Sequence, residues 1–323
     1  VPARIVLVAG PGGAGSSTVA AALAAGAAAK GRSVGLIDLD PVAGASSLLL
    51  PDAPTPEILD TRARPDGPGA LLARELTDLA GLDGRLVDEL VTVPGAELLS
   101  ALVVGHEHSD RAELIVVDAG SRAVDLCGLA HQLPWVLERL LPAQRGWLAT
   151  SRPLLAATLG RRWPGERASA RVRAAYAIAG EIQQELSAAV AVTTQVRDDD
   201  PRSLRTDVGL ALHGIPVCAT VTRADDSFSV EPVLDLVMED RPVSAAPLVA
   251  DGTGWIWRTP LPSLRSRDVA VRRLDDDLVI EAAGVRRVAP LPSSLRRCHA
   301  RSAVVREGTL EVRFTPDQQE HRP

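Results

Sequence analysis

The stretch from Val8 to Thr18 reads VAGPGGAGSST. Gly10, Gly12, Gly13 and Gly15 make a turn with almost no side-chain bulk, and Ala14 adds little. Successive backbone N–H groups in such a turn can face an oxyanion. A helix starting just after it adds its own unpaired N–H groups and the positive end of its dipole. The chemistry is phosphate binding. The usual pattern, G-x-x-x-x-G-K-[ST], places a lysine after the last glycine for phosphate charge, then a hydroxyl for magnesium. Here Ser16 stands at the lysine position, Ser17 keeps the hydroxyl and Thr18 adds a second one. The candidate nucleotide-binding residues are therefore Gly10, Gly12, Gly13, Ala14, Gly15, Ser16, Ser17 and Thr18.

Lys30 is the only lysine of the chain. It lies on the same predicted helix as Ser16, roughly 20 Å away at 1.5 Å per residue, so it cannot reach the loop. An arginine from a loop or a partner chain would have to supply the charge. Carboxylates follow in order. "LIDLDP" ends an apolar run with Asp38 and Asp40, and "LIVVDAG" ends another with Asp118. Acids at the ends of adjacent core strands can hold magnesium or orient a water molecule for phosphoryl transfer. Ser17, Asp38 and Asp118 are the candidate metal-side residues and Asp40 the candidate catalytic one. An Asp at a strand end is by itself often only a helix cap. Three such elements in this order argue for more.

The elements around them alternate. "RIVLVAG" and "SVGLIDLD" are apolar runs without polar alternation, as expected of strands buried on both faces of a parallel sheet. "SSTVAAALAAGAAAKG" between them is a helix stopped by Gly31. Pro41 to Gly69 reads as a long loop with at most one helical turn. "ALLARELTDLAGL" reads as a helix, "RLVDELVTV" as a strand and "GAELLSALVV" as a helix. A helical region is expected from about Val124 to Ser187. "AAVAVTTQV" and "IPVCATVTR" are further strands. They flank a helix in "DDDPRSLRTDVGLALHG" that Asp200 is placed to cap.

Composition changes near Ala250. Short alternating segments separated by turn signals follow, which predicts a small β-sandwich. The predicted organisation is a phosphate-loop α/β domain over 1–250, a β-sandwich over 251–316 and a tail over 317–323. Between Gly254 and Phe314 there are 12 Arg against seven acids, a net +5; with the chain at −6 overall, the remainder carries −11. A basic sandwich on an acidic body suggests mutual attraction or two outward partners.

Other features are weaker. The triplet His106-Glu107-His108 reads as solvated surface in a polar loop rather than a metal site. Arg161, Arg162, Arg167, Arg171 and Arg173 lack the aromatic interleaving of a nucleic-acid surface, so no nucleic acid is expected. Ser121 lacks the elbow context of a hydrolase nucleophile. Cys127, Cys218 and Cys298 are scattered, as reduced thiols in a cytoplasmic protein would be. No signal peptide or membrane-length apolar run is visible, so any membrane role would go through a membrane-protein partner.

"GPGGAGSST", "LIDLDP" and "LIVVDAG" in this order resemble the arsenical-pump ATPase family, which includes the ATPase that delivers tail-anchored proteins. "LPWVLERLLPAQRGWLATSRPLL" resembles the helical region of its bacterial members, and the C-terminal strands resemble their small-heat-shock-like sandwich. The family loop runs GKGGVGKTT. Its first lysine crosses a homodimer to the partner's nucleotide and its second is the ordinary phosphate lysine. Pro11 and Ser16 occupy those positions here. The resemblance implies that Asp40 is the switch acid activating the attacking water and Asp118 the magnesium-side acid. Where the family reads DTAPTG this chain reads DAGSRA, which puts Arg122 in the switch. The adenine-side Asn is replaced near Thr222, and the CxxC zinc pair of the tail-anchored branch is absent.

The resemblance implies ATP and Mg2+ as cofactors, held weakly. The expected role is a structural or regulatory subunit, as a homodimer or a heterodimer with an intact paralogue. Two other readings stay open. One is an active ATPase with arginine supplied in trans; the other is a partition or septum-site protein, which "LIDLDP" also resembles.

Overall fold

A computed structural model describes residues 2–40, 44–51, 54–62, 95–140, 166–198, 200–223, 229–239, 248–252, 254–262 and 264–316. Six parallel strands form the central sheet: β1 (Arg4–Ala9), β2 (Val34–Asp38), β3 (Glu57–Leu59), β4 (Leu114–Gly120), β5 (Val190–Gln195) and β6 (Val217–Thr222), in the order β3-β2-β4-β1-β5-β6. Both faces are covered, which explains the unbroken apolar runs. Leu7, Ala9, Ile115 and Val117 point into one core, and Val6, Val8, Leu114 and Val116 into the other. Helices α2 (Ala96–His108), α3 (Ala123–Leu140) and α4 (Glu166–Ser187) cover the first face. Helices α1 (Ser16–Ala29) and α6 (Val230–Met238) cover the second.

The alanines of α1 let it lie close to its neighbours, with Ala20, Ala24 and Ala27 fully buried. Gly26 makes room for α6, because a Cβ there would sit 2.8 Å from the Val230 side chain. The connection leaving β1 runs across β4 to β2, while the one leaving β4 runs across β1 to β5. The two diverge at neighbouring strand ends. A crevice opens there, the place where open parallel sheets take ligands.

Helix α5 (Ser203–Leu212) has two jobs. Leu210 packs into the sheet core, whereas Val208 and Leu212 pack with Val124 of α3 into the core of the C-terminal sheets. Those sheets are antiparallel. One is β11 (Val285–Pro290), β10 (Asp277–Ala282) and β9 (Val269–Leu274), in that order. The other is β12 (Cys298–Arg306), β13 (Thr309–Pro316), β8 (Gly254–Pro260) and β7 (Leu248–Asp251). Trp257, Leu278, Ile280, Val312 and Phe314 fill the space between them. The turns Ala283-Gly284 and Glu307-Gly308 adopt positive φ at both residues, as two-residue hairpins require.

The structure differs from the sequence reading in four places. The loop after Asp40 holds, besides a 3-10 turn at Ala45–Leu48, the short edge strand β3. Strand β7 begins the second antiparallel sheet three residues before 251. His106 and His108 lie in the last turn of α2, not in a loop. Asp200 does not cap α5: its carboxylate takes the N–H and guanidinium of Arg202, and the helix starts at Ser203 without a side-chain cap. The readings of "ALLARELTDLAGL" and "RLVDELVTV", most of "LPWVLERLLPAQRGWLATSRPLL", Arg161, Arg162 and the tail 317–323 lie outside the described residues. Of the other arginines in that set, Arg173 is exposed on α4. Among the described residues no helix is long and apolar enough to cross a membrane.

Candidate functional site

The loop from Gly10 to Gly15 closes the crevice beyond β1. Gly13 and Gly15 sit at φ of 79° and 90°, which L side chains rarely adopt, so these two glycines set the turn. Gly10 is required for another reason. A Cβ there would collide with the carbonyl and hydroxyl of Thr194 on β5. The Ala14 N–H donates to the Pro11 carbonyl at 3.1 Å, and Val19 N–H to Gly15 at 3.0 Å, joining loop to helix. The cleft above has a volume of about 460 Å³. Gly10, Gly12, Gly13, Gly15, Ser16, Ser17 and Thr18 all line it, together with Asp40 and Asp118. Ala14 is buried behind the loop.

Ser16 turns inward. Its hydroxyl is 2.7 Å from the Thr194 hydroxyl, in a buried contact. Thr194 donates its own proton to the Ala9 carbonyl at 3.3 Å, so Ser16 is the donor to Thr194. The residue at the lysine position thus braces β1 against β5 and spends its proton away from the cleft.

Ser17 faces the cleft, close enough to the Asp118 carboxylate to favour its charged form. The Ala45 N–H donates to the same carboxylate at 3.0 Å. Burial pushes the Asp118 carboxyl up from its ordinary value, and the charges of Asp38 and Asp40 push the same way; the nearby Ser17 hydroxyl and the Ala45 N–H oppose them. Asp38 is the register partner of Asp118 across β2 and β4. Its carboxylate is already used. It accepts from the Ser46 hydroxyl at 2.8 Å, Ser46 N–H at 3.0 Å and Asp40 N–H at 2.9 Å. Gly44 allows this close approach, since a Cβ there would collide with the Asp38 carboxylate. Asp38 therefore shapes the loop beneath Asp40 and does not line the cleft. Asp40 is exposed on the cleft wall.

Two arginines complete the wall. Arg223, the residue after β6, donates from Nη1 to the Gly13 carbonyl at 2.8 Å. Arg122, after β4, donates to Glu97 at 2.5 Å and to the Leu39 carbonyl at 3.3 Å. Both line the same cleft as Asp40 and Asp118.

A family model described as a CobQ/CobB/MinD/ParA nucleotide-binding domain matches residues 5–232. A second, described as an HSP20-like domain found in ArsA, matches residues 252–314. The chain belongs to the ArsA-like family. Its relatives include the uncharacterized protein SCO2128 of Streptomyces coelicolor, 30% identical over 97% of this chain and 98% of its own length. Protein Rv2184c of Mycobacterium tuberculosis is 45% identical over 60 residues, 19% of this chain and 14% of the relative.

In this ArsA-like protein the nucleotide-binding scaffold is built from backbone. Positive side-chain charge reaches the cleft only through Arg122 and Arg223 among the described residues. Sequence reasoning placed Arg122 in the switch but missed Arg223, which meets Gly13 from 210 residues away along the chain. The available signal was an arginine directly after the strand "IPVCATVT", at a strand end on the ligand side. Thr222 itself is turned toward Gln195 and Asp198. The histidines of α2 take separate partners. His106 meets Glu185 at 3.0 Å, while His108 bonds the Val104 carbonyl at 2.8 Å. Ser121 lines the cleft beside Arg122.

Proposed function

We propose that this ArsA-like protein binds nucleotide weakly, does not turn it over alone, and serves as a structural or regulatory subunit of a dimer. One observation carries the reading: the Ser16 hydroxyl is bonded to Thr194 beneath the loop, so the lysine position contributes no charge to the cleft. Phosphoryl transfer depends on positive charge fixed around the transferring group. With Pro11 at the other family lysine, neither loop charge is present.

The remaining residues fit a nucleotide's metal better than its terminal phosphate. Ser17 and Asp118 line the cleft together, and the charges of Asp38 and Asp40 disfavour a charged Asp118, a repulsion that a divalent cation would relieve. Magnesium, were it bound there with a nucleotide, would supply positive charge to the phosphates. The chain's own contribution is the loop N–H groups for the phosphates, the Ser17 hydroxyl and Asp118 for the cation, and Asp40 on the wall to orient water. Calorimetry with Mg-ATP and a turnover assay test this. Weak binding without turnover is expected. Micromolar affinity with turnover that vanishes in Asp40→Asn would overturn it.

A second reading, an active ATPase, is favoured by Arg122 and Arg223 on the cleft wall. It differs from the trans-arginine version in drawing its charge from the same chain. Slow turnover abolished by Arg223→Gln would establish it. Pairing is read from the family resemblance and from the +5 sandwich on the −11 body, which favours oriented docking through complementary charge. Co-expression with a paralogue carrying both loop lysines, followed by size exclusion, should give a complex that weakens in high salt.

A further inference from the structure

We propose that the seam between the α/β body and the β-sandwich is a binding site for a compact, multiply charged oxyanion, held between Arg205 and Arg286 over His213. The seam encloses a cleft of about 280 Å³ and shares no lining residue with the glycine-loop cleft. Asp125 and Gly128 of α3 form one wall, Arg205 of α5 a second, and Gly284 and Arg286 of the β10–β11 hairpin the third.

Charge and hydrogen bonding both point to an anion. The acid lining the cleft, Asp125, sits 3.9 Å from Arg205, an exposed and loose pair. Arg286 shares Glu281 with Arg272, and Arg272 holds the closer contact at 2.7 Å against 3.5 Å. Next to it on β11, Arg287 has no acidic partner among the described residues, and it lies near enough to His131 and His213 to act on both. The surplus in and behind the cleft is positive.

His213 supplies the independent sign. It is 5% exposed, lines the cleft, and its Nδ1 has no hydrogen-bond partner among the described residues. A buried ring nitrogen with nothing to bond is costly and calls for a partner. His131 does not provide one. The two rings lie 5.0 Å apart, and His131 uses its Nδ1 on the Cys127 carbonyl at 2.9 Å. Burial, together with His131 and Arg287, holds the His213 imidazole down to about 3, so it meets a ligand as a neutral N–H donor. An oxyanion accepting from both guanidinium groups would meet the His213 ring at Nε2, the nitrogen that faces Gly128 of the lining. It would also bridge the body, through Arg205, to the sandwich, through Arg286. Inorganic phosphate, a phosphomonoester and a dicarboxylate share that chemistry.

The test uses the full chain in buffers matched for ionic strength with chloride. Thermal melts are followed with inorganic phosphate, glycerol phosphate or succinate, and titrations give apparent affinities. Arg205 and Arg286 are both more than half exposed, so the double variant Arg205→Gln/Arg286→Gln should melt like the parent in chloride. At least one anion should raise the parent's midpoint, and which one does identifies the source. The double variant should bind it at least about tenfold more weakly, while Arg223→Gln at the glycine loop keeps the effect. Three outcomes would overturn the proposal: no rise with any of the anions, an equal rise in parent and double variant, or a rise lost only in Arg223→Gln.

Discussion

The glycine-loop cleft and the seam between body and sandwich are both polar hollows with two arginines on their walls, but they are made of different material. Around the loop, the turn is set by Gly13 and Gly15 and by the close contact of Gly10 with β5. That architecture is backbone, and it stands with Pro11 and Ser16 where the loop it resembles carries lysines. At the seam, Val124, Val208 and Leu212 meet the sandwich core, and His131, His213, Arg286 and Arg287 edge it. That architecture is side chains. A site built from backbone can lose its chemistry and keep its shape; a site built from side chains loses both together.

Substitutions at the two places should separate these behaviours. The largest effect is expected from Leu212→Ala, which empties a fully buried position joining α5 to the sandwich. It should cost about 3 kcal/mol in denaturant unfolding and open the seam to proteolysis. An intact seam with unchanged stability would break the contrast. Gly10→Ala at the loop should cost about 2 kcal/mol, because the neighbour it meets includes the Thr194 carbonyl and backbone yields poorly. By contrast, Ser16→Lys should leave the loop standing. It should raise Mg-ATP affinity at least about tenfold, roughly 1.4 kcal/mol, by returning charge to a preserved cradle. Calorimetry that shows no gain would mean the cradle itself has changed.

The seam should report pH in the weakly acidic range. His213 is held down to about 3 by burial, His131 and Arg287. Its unfolded value is near 6.5, so below that pH the unfolded chain takes up a proton that the folded chain refuses. Stability is therefore full above about 6.5 and falls as pH drops toward 3, by at most ~1.4 kcal/mol per unit from this group. Unfolding curves at pH 7 and pH 5 should show the loss in the parent and less of it in His213→Asn. Asp118 works in the opposite sense. Its raised value means its charge opposes folding above that pH, a cost that fades as pH falls and the group protonates. The smallest effect belongs to the exposed pair of Lys30 and Asp235, 3.4 Å apart. Lys30→Gln should change stability by under about 1 kcal/mol, so a larger change would show that α1 and α6 depend on it.

Much of this was written along the chain. Strands β1, β2 and β4 appear as apolar runs because a parallel strand buried on both faces has no polar side to show; β5 and the partly buried edge strand β6 carry threonines among their apolar residues. The sandwich hairpins appear as turn pairs, because positive φ restricts which residues serve. The glycine loop, Ser17 and Asp118 are likewise local features at strand ends. By itself, then, the sequence determined the parallel-sheet architecture, the backbone cradle and the absence of loop charge. Tertiary structure alone decided where the polar groups spend their hydrogen bonds. Ser16 is drawn under the loop by Thr194, Asp38 is taken by Ser46 rather than the cleft, and Arg223 arrives at Gly13 from the far end of the sheet. It also decided the edge strands β3 and β7, too short to carry a pattern, and the meeting of His131 with His213. The reason is physical: periodicity and turn chemistry act between near neighbours, whereas a hydrogen-bond partner or a buried charge is selected by whichever distant strand or helix packs alongside.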